Sequence, residues 1–279
     1  MSRLILNADD FGLTSGVNRA VIELHRAGAL TSATLMARAA ATEEAIELAC
    51  TTPTLGVGCH VVLVDGEPVL SPQRISTLVK PHSGRFHPTP GAFLGALFMG
   101  RIRSSEIEAE TAAQIALLQS KGVKLTHIDS HKHTHIFPAV LRPMLRAAKA
   151  AGIHAVRNPF EPAWSRRATR GAGLIRRSEV SLLRLLEPAF RRIVAEEGFA
   201  TTGGALGVLA TGSLNAATLD ALLGHLPSGT WELVTHPGYN DGDLARAHTR
   251  LQASREMERK ALASLIWSDE IERIDFSRL

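Results

Sequence analysis

Apolar runs alternate with amphipathic segments along the first part of the chain. The apolar runs, which we predict to be strands, are residues 4–7, 33–36 and 55–63. The segments between them carry apolar residues at helical spacing and are predicted helices at residues 15–27 and 42–50. Ser15 and Thr42 open these helices as predicted N-caps. This order is typical of a parallel sheet with helical crossovers.

The alternation is interrupted after residue 64 and then resumes. Residues 65–100 are rich in Pro and Gly, which predicts a long insertion of the kind that forms lids. Further helices are predicted at residues 104–119, 139–151, 214–226 and 245–266, and further strands at 123–129, 153–156, 205–209, 231–234 and 271–276. No Gly-x-Gly-x-x-Gly fingerprint follows the first strand. The pattern therefore predicts one α/β domain over residues 1–279, a distorted TIM-like (β/α)7–8 barrel.

Composition and charge narrow the class of protein. The sequence has 279 residues, a size that suits one barrel domain, and a formal net charge of +4. It contains no apolar run long enough to cross a membrane and no signal-peptide core, and its two cysteines suit a reducing compartment, so we expect a cytoplasmic protein. Aromatic residues make up only 5% of the chain, and no nucleic-acid recognition motif is present. We therefore expect no nucleic-acid partner.

Two adjacent carboxylates, Asp9 and Asp10, end the first predicted strand. The active site of a parallel barrel lies at the carboxyl ends of its strands. Neighbouring carboxylates at the end of a buried strand are costly unless a cation compensates them. The pair is therefore either an ordinary turn or a metal site, with one Asp as ligand and the other as base.

A histidine-rich segment follows the fourth predicted strand. Its members of one parity, which an extended chain would present on one face, are His127, Asp129, His131, His133 and His135. If the chain turns helical, His131 and His135 lie one turn apart instead. Either geometry suits a divalent metal such as Zn, Mg, Co or Ni, and the alternative is a solvated tract that binds metal adventitiously.

Three further residues stand at predicted strand ends. His60 shares its end of the barrel with Asp10, and we interpret its neighbour Cys59 as a packing residue because consecutive strand residues face opposite sides. Arg157 is either a surface arginine or a partner that orients the catalytic Asp. His236 precedes Pro237-Gly238, a rigid turn, and is a candidate general acid.

Four motifs together resemble the YdjC-like carbohydrate deacetylases. They are Asn7-Ala8-Asp9-Asp10-Phe11-Gly12, Gly58-x-His60, Asp129-Ser130-His131-Lys132-His133 and Thr235-His236-Pro237-Gly238. The resemblance implies a distorted TIM-like barrel that removes the N-acetyl group from an amino sugar. It also implies a divalent metal held by Asp10, His60 and His131, with Asp9 as general base and His236 near the leaving amine.

A narrower resemblance concerns the hopanoid-biosynthesis, HpnK-type branch. Residues 60–70 and 158–162 are similar to that branch, whereas Asp129-Ser130 departs from the Asn-Ala that often stands there. The branch implies an N-acetylglucosaminyl hopanoid lipid as substrate. Chitooligosaccharides are the alternative substrate within the family.

A basic segment at residues 166–192 lies within a second insertion, at about 160–200. It holds eight arginines against two acids, with apolar residues at near-helical spacing until Pro188, which we expect to disturb the helix. It is either an amphipathic helix with a solvated basic face or a contact with a lipid substrate or the inner membrane surface. A metal-dependent phosphoesterase or amidohydrolase is the rival function, and the basic segment would suit the phosphate group of a phosphoesterase substrate. The oligomeric state stays open, a homodimer included.

Overall fold

A parallel sheet of seven strands forms the centre of the computed structural model, which describes residues 1–169, 173–247 and 249–279. The strands are β1 (Ser2–Phe11), β2 (Ser32–Leu35), β3 (Gly56–Val61), β4 (Leu125–Ser130), β5 (Ala205–Leu206), β6 (Gly229–Thr235) and β7 (Ile271–Ile274). The α-helices are α1 (Ser15–Arg26), α2 (Thr42–Thr51), α3 (Pro90–Phe98), α4 (Ser104–Ser120), α5 (Pro138–Ala150), α6 (Ala163–Ala168), α7 (Leu174–Leu183), α8 (Glu187–Glu197), α9 (Ala216–Leu223), α10 (Gly242–Arg246) and α11 (Ala253–Ala263).

Strand β1 lies in the middle of the sheet, whose order is β4-β3-β2-β1-β6-β5. On one side β1 pairs with β6 from Ser2 to Ala8. On the other side its first half pairs with β7 and its second half with β2. Every pair is parallel, so the strands form a half-barrel whose carboxyl ends share one edge.

The apolar run of β1 is buried on both faces, as in other parallel sheets. Leu4 and Leu6 are fully buried in the main core, whereas Ile5 packs with Ile274 and Phe276 in a smaller cluster on the opposite face. Cys59 of β3 also lies in the main core, which confirms that it is a packing residue. Burial of this kind fixes the register of β1 and hence the position of Asp9 and Asp10 at its end.

Several predicted elements differ in their details. Helix α1 is capped by the Thr14 side chain rather than by Ser15. The predicted helix at 245–266 is not continuous, because Ala247 takes an extended conformation that ends α10 and α11 starts only at Ala253, while His248 lies outside the described residues. The predicted strand at 153–156 forms only isolated bridges, between Ile128 and Val156 and between Ala155 and Ala200. Closure into a regular (β/α)7–8 barrel thus stays a prediction.

Two long segments, predicted above to be insertions, connect elements of this framework. Buried glutamates of α4 anchor the first one: Glu110 accepts the backbone N–H groups of Val69 and Leu70, and Glu106 accepts that of Thr77. The second insertion contains α6, α7 and α8, and Arg170 of the basic segment lies outside the described residues.

Pro188 does not disturb a helix, contrary to expectation. It lies in the first turn of α8, where proline is tolerated because its missing N–H has no intrahelical acceptor. The interruption falls instead in the 3₁₀ turn Arg184–Leu186. Within the described ranges, no helix combines the length and the apolar character needed to span a membrane.

Candidate active site

The carboxyl edge of the sheet brings Asp9 and Asp10 to one place. In a regular strand these neighbours would face opposite sides. Here the β1–β2 register shifts between Ala8 and Phe11, and Asp10 has φ 64°, in the left-handed region that non-glycine residues rarely adopt. The irregularity allows both buried carboxylates to reach the groups at this edge.

Asp10, His60 and His131 form a compact set of ligand atoms. Asp10 Oδ1 lies 3.1 Å from His131 Nδ1 and 3.4 Å from His60 Nε2, and these two nitrogens are 3.3 Å apart. Oδ1 has no hydrogen-bond partner among the described residues although it is buried. One carboxylate and two imidazoles are typical ligands of a divalent metal, so the residues that the resemblance implied fit such an ion.

Asp129 orients His60. Its Oδ1 lies 2.7 Å from His60 Nδ1, so the other ring nitrogen, Nε2, points to Asp10 and His131. Burial lowers the pKa of His60, but the carboxylates of Asp129 and Asp10 outweigh burial and raise it to about 10. A metal ion must therefore displace a proton from this ring when it binds.

Arg157 lies among three buried acids and is itself fully buried. Its guanidinium donates to both oxygens of Asp9, at 2.6 and 2.9 Å, to Glu232 at 2.7 Å, and to Asp129. Asp9, His60 and Asp129 also cluster closely enough to hold a metal. We infer that Arg157, rather than a metal ion, neutralises Asp9 and Asp129, because its guanidinium already donates hydrogen bonds to both carboxylates. Of the two interpretations of Arg157, the structure supports the one that orients Asp9.

The surroundings of Asp9 and His236 set their proton affinities. Burial alone would raise the pKa of Asp9, yet the guanidinium of Arg157 holds it well below its usual range. His236 Nε2 lies 3.7 Å from Asp9 Oδ2, and burial lowers the pKa of His236 to about 4. The imidazole is thus neutral at pH 7, with a carboxylate beside it that would stabilise its charged form.

The other histidines of the His-rich segment stay away from the cluster. The His127 ring stacks on Phe276 with centroids 3.7 Å apart, and His135 Nδ1 lies 2.6 Å from Ser130 Oγ. Neither predicted geometry holds over the whole segment, because β4 ends at Ser130 and the 3₁₀ turn His131–Ile136 contains left-handed φ values, 56° at Lys132 and 52° at His133. His131 alone of the segment's histidines reaches the cluster.

Three buried charged residues at the site escaped the sequence analysis. Glu232 of β6 pairs with Arg157, and burial raises its pKa to about 8. On α11, Arg255 donates to Asp10 Oδ2 at 2.5 Å, and Glu258 Oε2 accepts the backbone N–H of His236 at 2.6 Å. Glu232 carries a weak signal, a charge within an apolar strand. Nothing distinguishes Arg255 and Glu258 from the exposed charges beside them.

Comparisons with known proteins find a matching family and similar proteins for most of the chain. Residues 3–273 match the model of the family described as YdjC-like protein. A Brevibacillus brevis carbohydrate deacetylase is 44% identical over 147 residues, which span 53% of this chain and 56% of that protein. A Thermoanaerobacter pseudethanolicus carbohydrate deacetylase is 29% identical over 94% of this chain and 91% of its own.

The fold recurs in a solved structure. An Enterococcus faecalis protein, described as a candidate cellobiose-phosphate cleavage protein, superposes with a TM-score of 0.76 at 24% identity. The superposition covers 99% of this chain and 98% of that one. This likeness supports the α/β half-barrel. The match over residues 3–273 shows that the chain belongs to the YdjC-like protein family.

Proposed function

We propose that this protein is a metal-dependent carbohydrate deacetylase, which hydrolyses the N-acetyl group of an N-acetylglucosamine-type sugar. The observation that carries the proposal is the meeting of Asp10 Oδ1, His60 Nε2 and His131 Nδ1 beside the Asp9–His236 pair. The names of the Brevibacillus and Thermoanaerobacter relatives support the same reaction class. Asp10, His60 and His131 are the proposed metal ligands, and Asp9, Arg157 and His236 the proposed catalytic group.

Two side chains, Asp9 and His236, carry out the proton transfers of the proposed reaction. A divalent metal supplies Lewis acidity, which polarises the amide carbonyl and makes a nearby water easier to deprotonate. Asp9 accepts the proton of that water through Oδ2, the oxygen that faces His236, while Arg157 holds the carboxylate in place. His236 is neutral at pH 7, so it relays the proton that Asp9 has taken from the water. Asp9 Oδ2 passes the proton to His236 Nε2, 3.7 Å away, and His236 delivers it to the departing amine while Asp9 becomes a carboxylate again.

The donor set narrows the choice of metal. Two imidazoles and one carboxylate suit Zn, Co and Ni better than Mg, which prefers oxygen ligands. We therefore propose a metal of the first group and expect EDTA-treated protein to regain activity with Zn or Co before Mg.

A direct assay separates this function from its rivals. Purified protein with added metal is incubated with diacetylchitobiose, with an N-acetylglucosaminyl hopanoid or with sugar phosphates, and the products are analysed by mass spectrometry. Loss of an acetyl group with free acetate supports deacetylation. Phosphate release without acetyl loss would favour the phosphoesterase alternative, and no turnover of any of these substrates would contradict the proposal.

We further propose that the substrate is lipid-linked, as in the hopanoid branch, and that the basic segment contacts an anionic membrane surface. Leu182 and Leu185 of this segment are 66% and 75% exposed. The arginines around them carry charge complementary to anionic headgroups, although Arg184 and Arg191 also pair with Glu187.

Liposome co-sedimentation tests this contact. The double variant Leu182→Ser/Leu185→Ser should bind anionic vesicles less than the parent protein. Ile266→Ser, which changes a residue 96% exposed elsewhere, is the matched control. Equal binding by all three proteins would remove the membrane contact. Light scattering on the same variants tests the alternative that Leu182 and Leu185 contact a second copy of this protein in a homodimer.

A further inference from the structure

Arg255 is a buried arginine whose side chain contacts Asp10. It lies in the first turn of α11, its side chain is 1% exposed, and its Nη2 donates to Asp10 Oδ2 at 2.5 Å. Its Nε and Nη1 have no hydrogen-bond partner among the residues that the structure describes. Burying a cation with unused donors costs free energy. We therefore attribute the burial of Arg255 to its contact with Asp10.

The contact makes the two oxygens of Asp10 different. Oδ2 is engaged by Arg255, whereas Oδ1 faces His60 and His131 and has no hydrogen-bond partner within the described chain. We propose that Arg255 is a positioning residue that holds Asp10 so that only Oδ1 is offered to the metal. This inference rests on the proposed function, since it gives Asp10 the role of ligand.

The arginine is in turn fixed by the turn that follows His236. The backbone N–H of Gly238 donates to the carbonyl oxygen of Arg255 at 3.2 Å. A Cβ at position 238 would lie 3.1 Å from Val17 Cγ2 and 3.2 Å from Arg255 Cδ, closer than side chains usually approach. The absence of a side chain at Gly238 thus leaves room for Arg255, and the turn braces both the His236 side and the Asp10 side of the site.

Positioning and simple electrostatics predict opposite effects on metal binding. A guanidinium near the ligands repels a metal cation, so its removal would tighten binding if charge alone mattered. If Arg255 positions Asp10, its removal frees Oδ2, loosens the carboxylate and weakens binding. Loss of an outer partner of a metal ligand typically weakens affinity ~10- to 100-fold.

The experiment compares Arg255→Met with Arg259→Met, which removes an arginine of the same helix that pairs with Glu256. Co²⁺ is titrated into each metal-free protein, and the visible absorption spectrum and the Kd are recorded without substrate. We expect Arg255→Met to bind Co²⁺ ~10- to 100-fold more weakly, with an altered spectrum because Oδ2 becomes available. Arg259→Met should match the parent protein.

Tighter binding, or an unchanged Kd with an unchanged spectrum, would overturn the proposal. If Arg255→Met fails to fold, Arg255→Lys decides instead. It keeps the charge but not the planar fork, so it should bind Co²⁺ more weakly than the parent protein and with an altered spectrum, whereas the Kd and spectrum of the parent would overturn the proposal. The readout needs no turnover, so it is independent of acetate release, which tests the proposed function.

Discussion

At the scale of single residues, two neighbours with the same side chain have different surroundings. Asp9 is held by the two donor nitrogens of Arg157, whereas Asp10 keeps one oxygen directed at two imidazoles. The difference arises from the left-handed backbone at Asp10, not from the chemistry of aspartate. The proposed division between base and ligand is therefore open to test by substitution.

Asp9→Asn should keep metal affinity and lose deacetylase activity by ~10²- to 10⁴-fold, because an amide cannot accept the proton of the water. His131→Ala should lose both metal and activity. Metal content by atomic emission and acetate release are the two measurements. Full activity of Asp9→Asn would reject Asp9 as the base.

Glu258 should make stability depend on pH. Burial raises its pKa to about 7 from the ordinary 4.5, so the folded protein holds a proton there that the unfolded chain has lost. The stability contribution is present below pH 4.5 and is lost as the pH rises through about 7. In urea unfolding of the metal-free protein, Glu258→Gln should show a smaller fall in unfolding free energy between pH 5 and about 8 than the parent. Parallel pH profiles of the two proteins would contradict this.

At the scale of elements, β1 and β3 were predictable because buried parallel strands are largely apolar and end in polar residues. The same alternation found α1, α2, α4 and α5. It failed for the segment at 153–156, whose backbone pairs only through isolated bridges, and for α10 and α11, because α10 ends at Arg246 and α11 starts only at Ala253. These features depend on long-range partners that periodicity does not record.

The same limit applies to the site. Asp9, Asp10, His60, His131 and His236 stand at strand ends and could be found by position. Arg255 and Glu258 could not, because their helix carries Glu256 and Arg259, a partly buried pair, in the same spacing. Only the tertiary packing of α11 against the turn after β6 distinguishes the fully buried pair from the partly buried one.

Strand β3 contains a glycine that leaves space for a neighbouring ring. A Cβ at Gly58 would lie 2.4 Å from the His127 ring, which is already stacked on Phe276. Gly58→Ala should therefore lower the unfolding free energy by about 1–3 kcal/mol through overpacking. Gly91→Ala, where nothing lies within 4 Å, is the control and should be near neutral. Equal midpoints in urea would show that the ring relocates freely.

At the scale of the whole molecule, metal binding should stabilise the fold. Asp10, His60 and His131 come from β1, β3 and the turn after β4, so an ion shared by them holds three parts of the sheet edge together. Zn²⁺ at a hundred times its Kd should raise the unfolding free energy by about 2.7 kcal/mol. Thermal unfolding with Zn²⁺ or EDTA measures this, and His131→Ala should show no difference between the two.

The central place of β1 has a consequence for how the protein is made. Its partners β6 and β7 lie more than 220 residues further along the chain, at Gly229–Thr235 and Ile271–Ile274. During synthesis the edge of β1 that pairs with β6 therefore stays unpaired until most of the chain has been made, a state prone to aggregation. Asp9 and Asp10 of this strand are thus completed as a site only once α11, which carries Arg255 and Glu258, has been made.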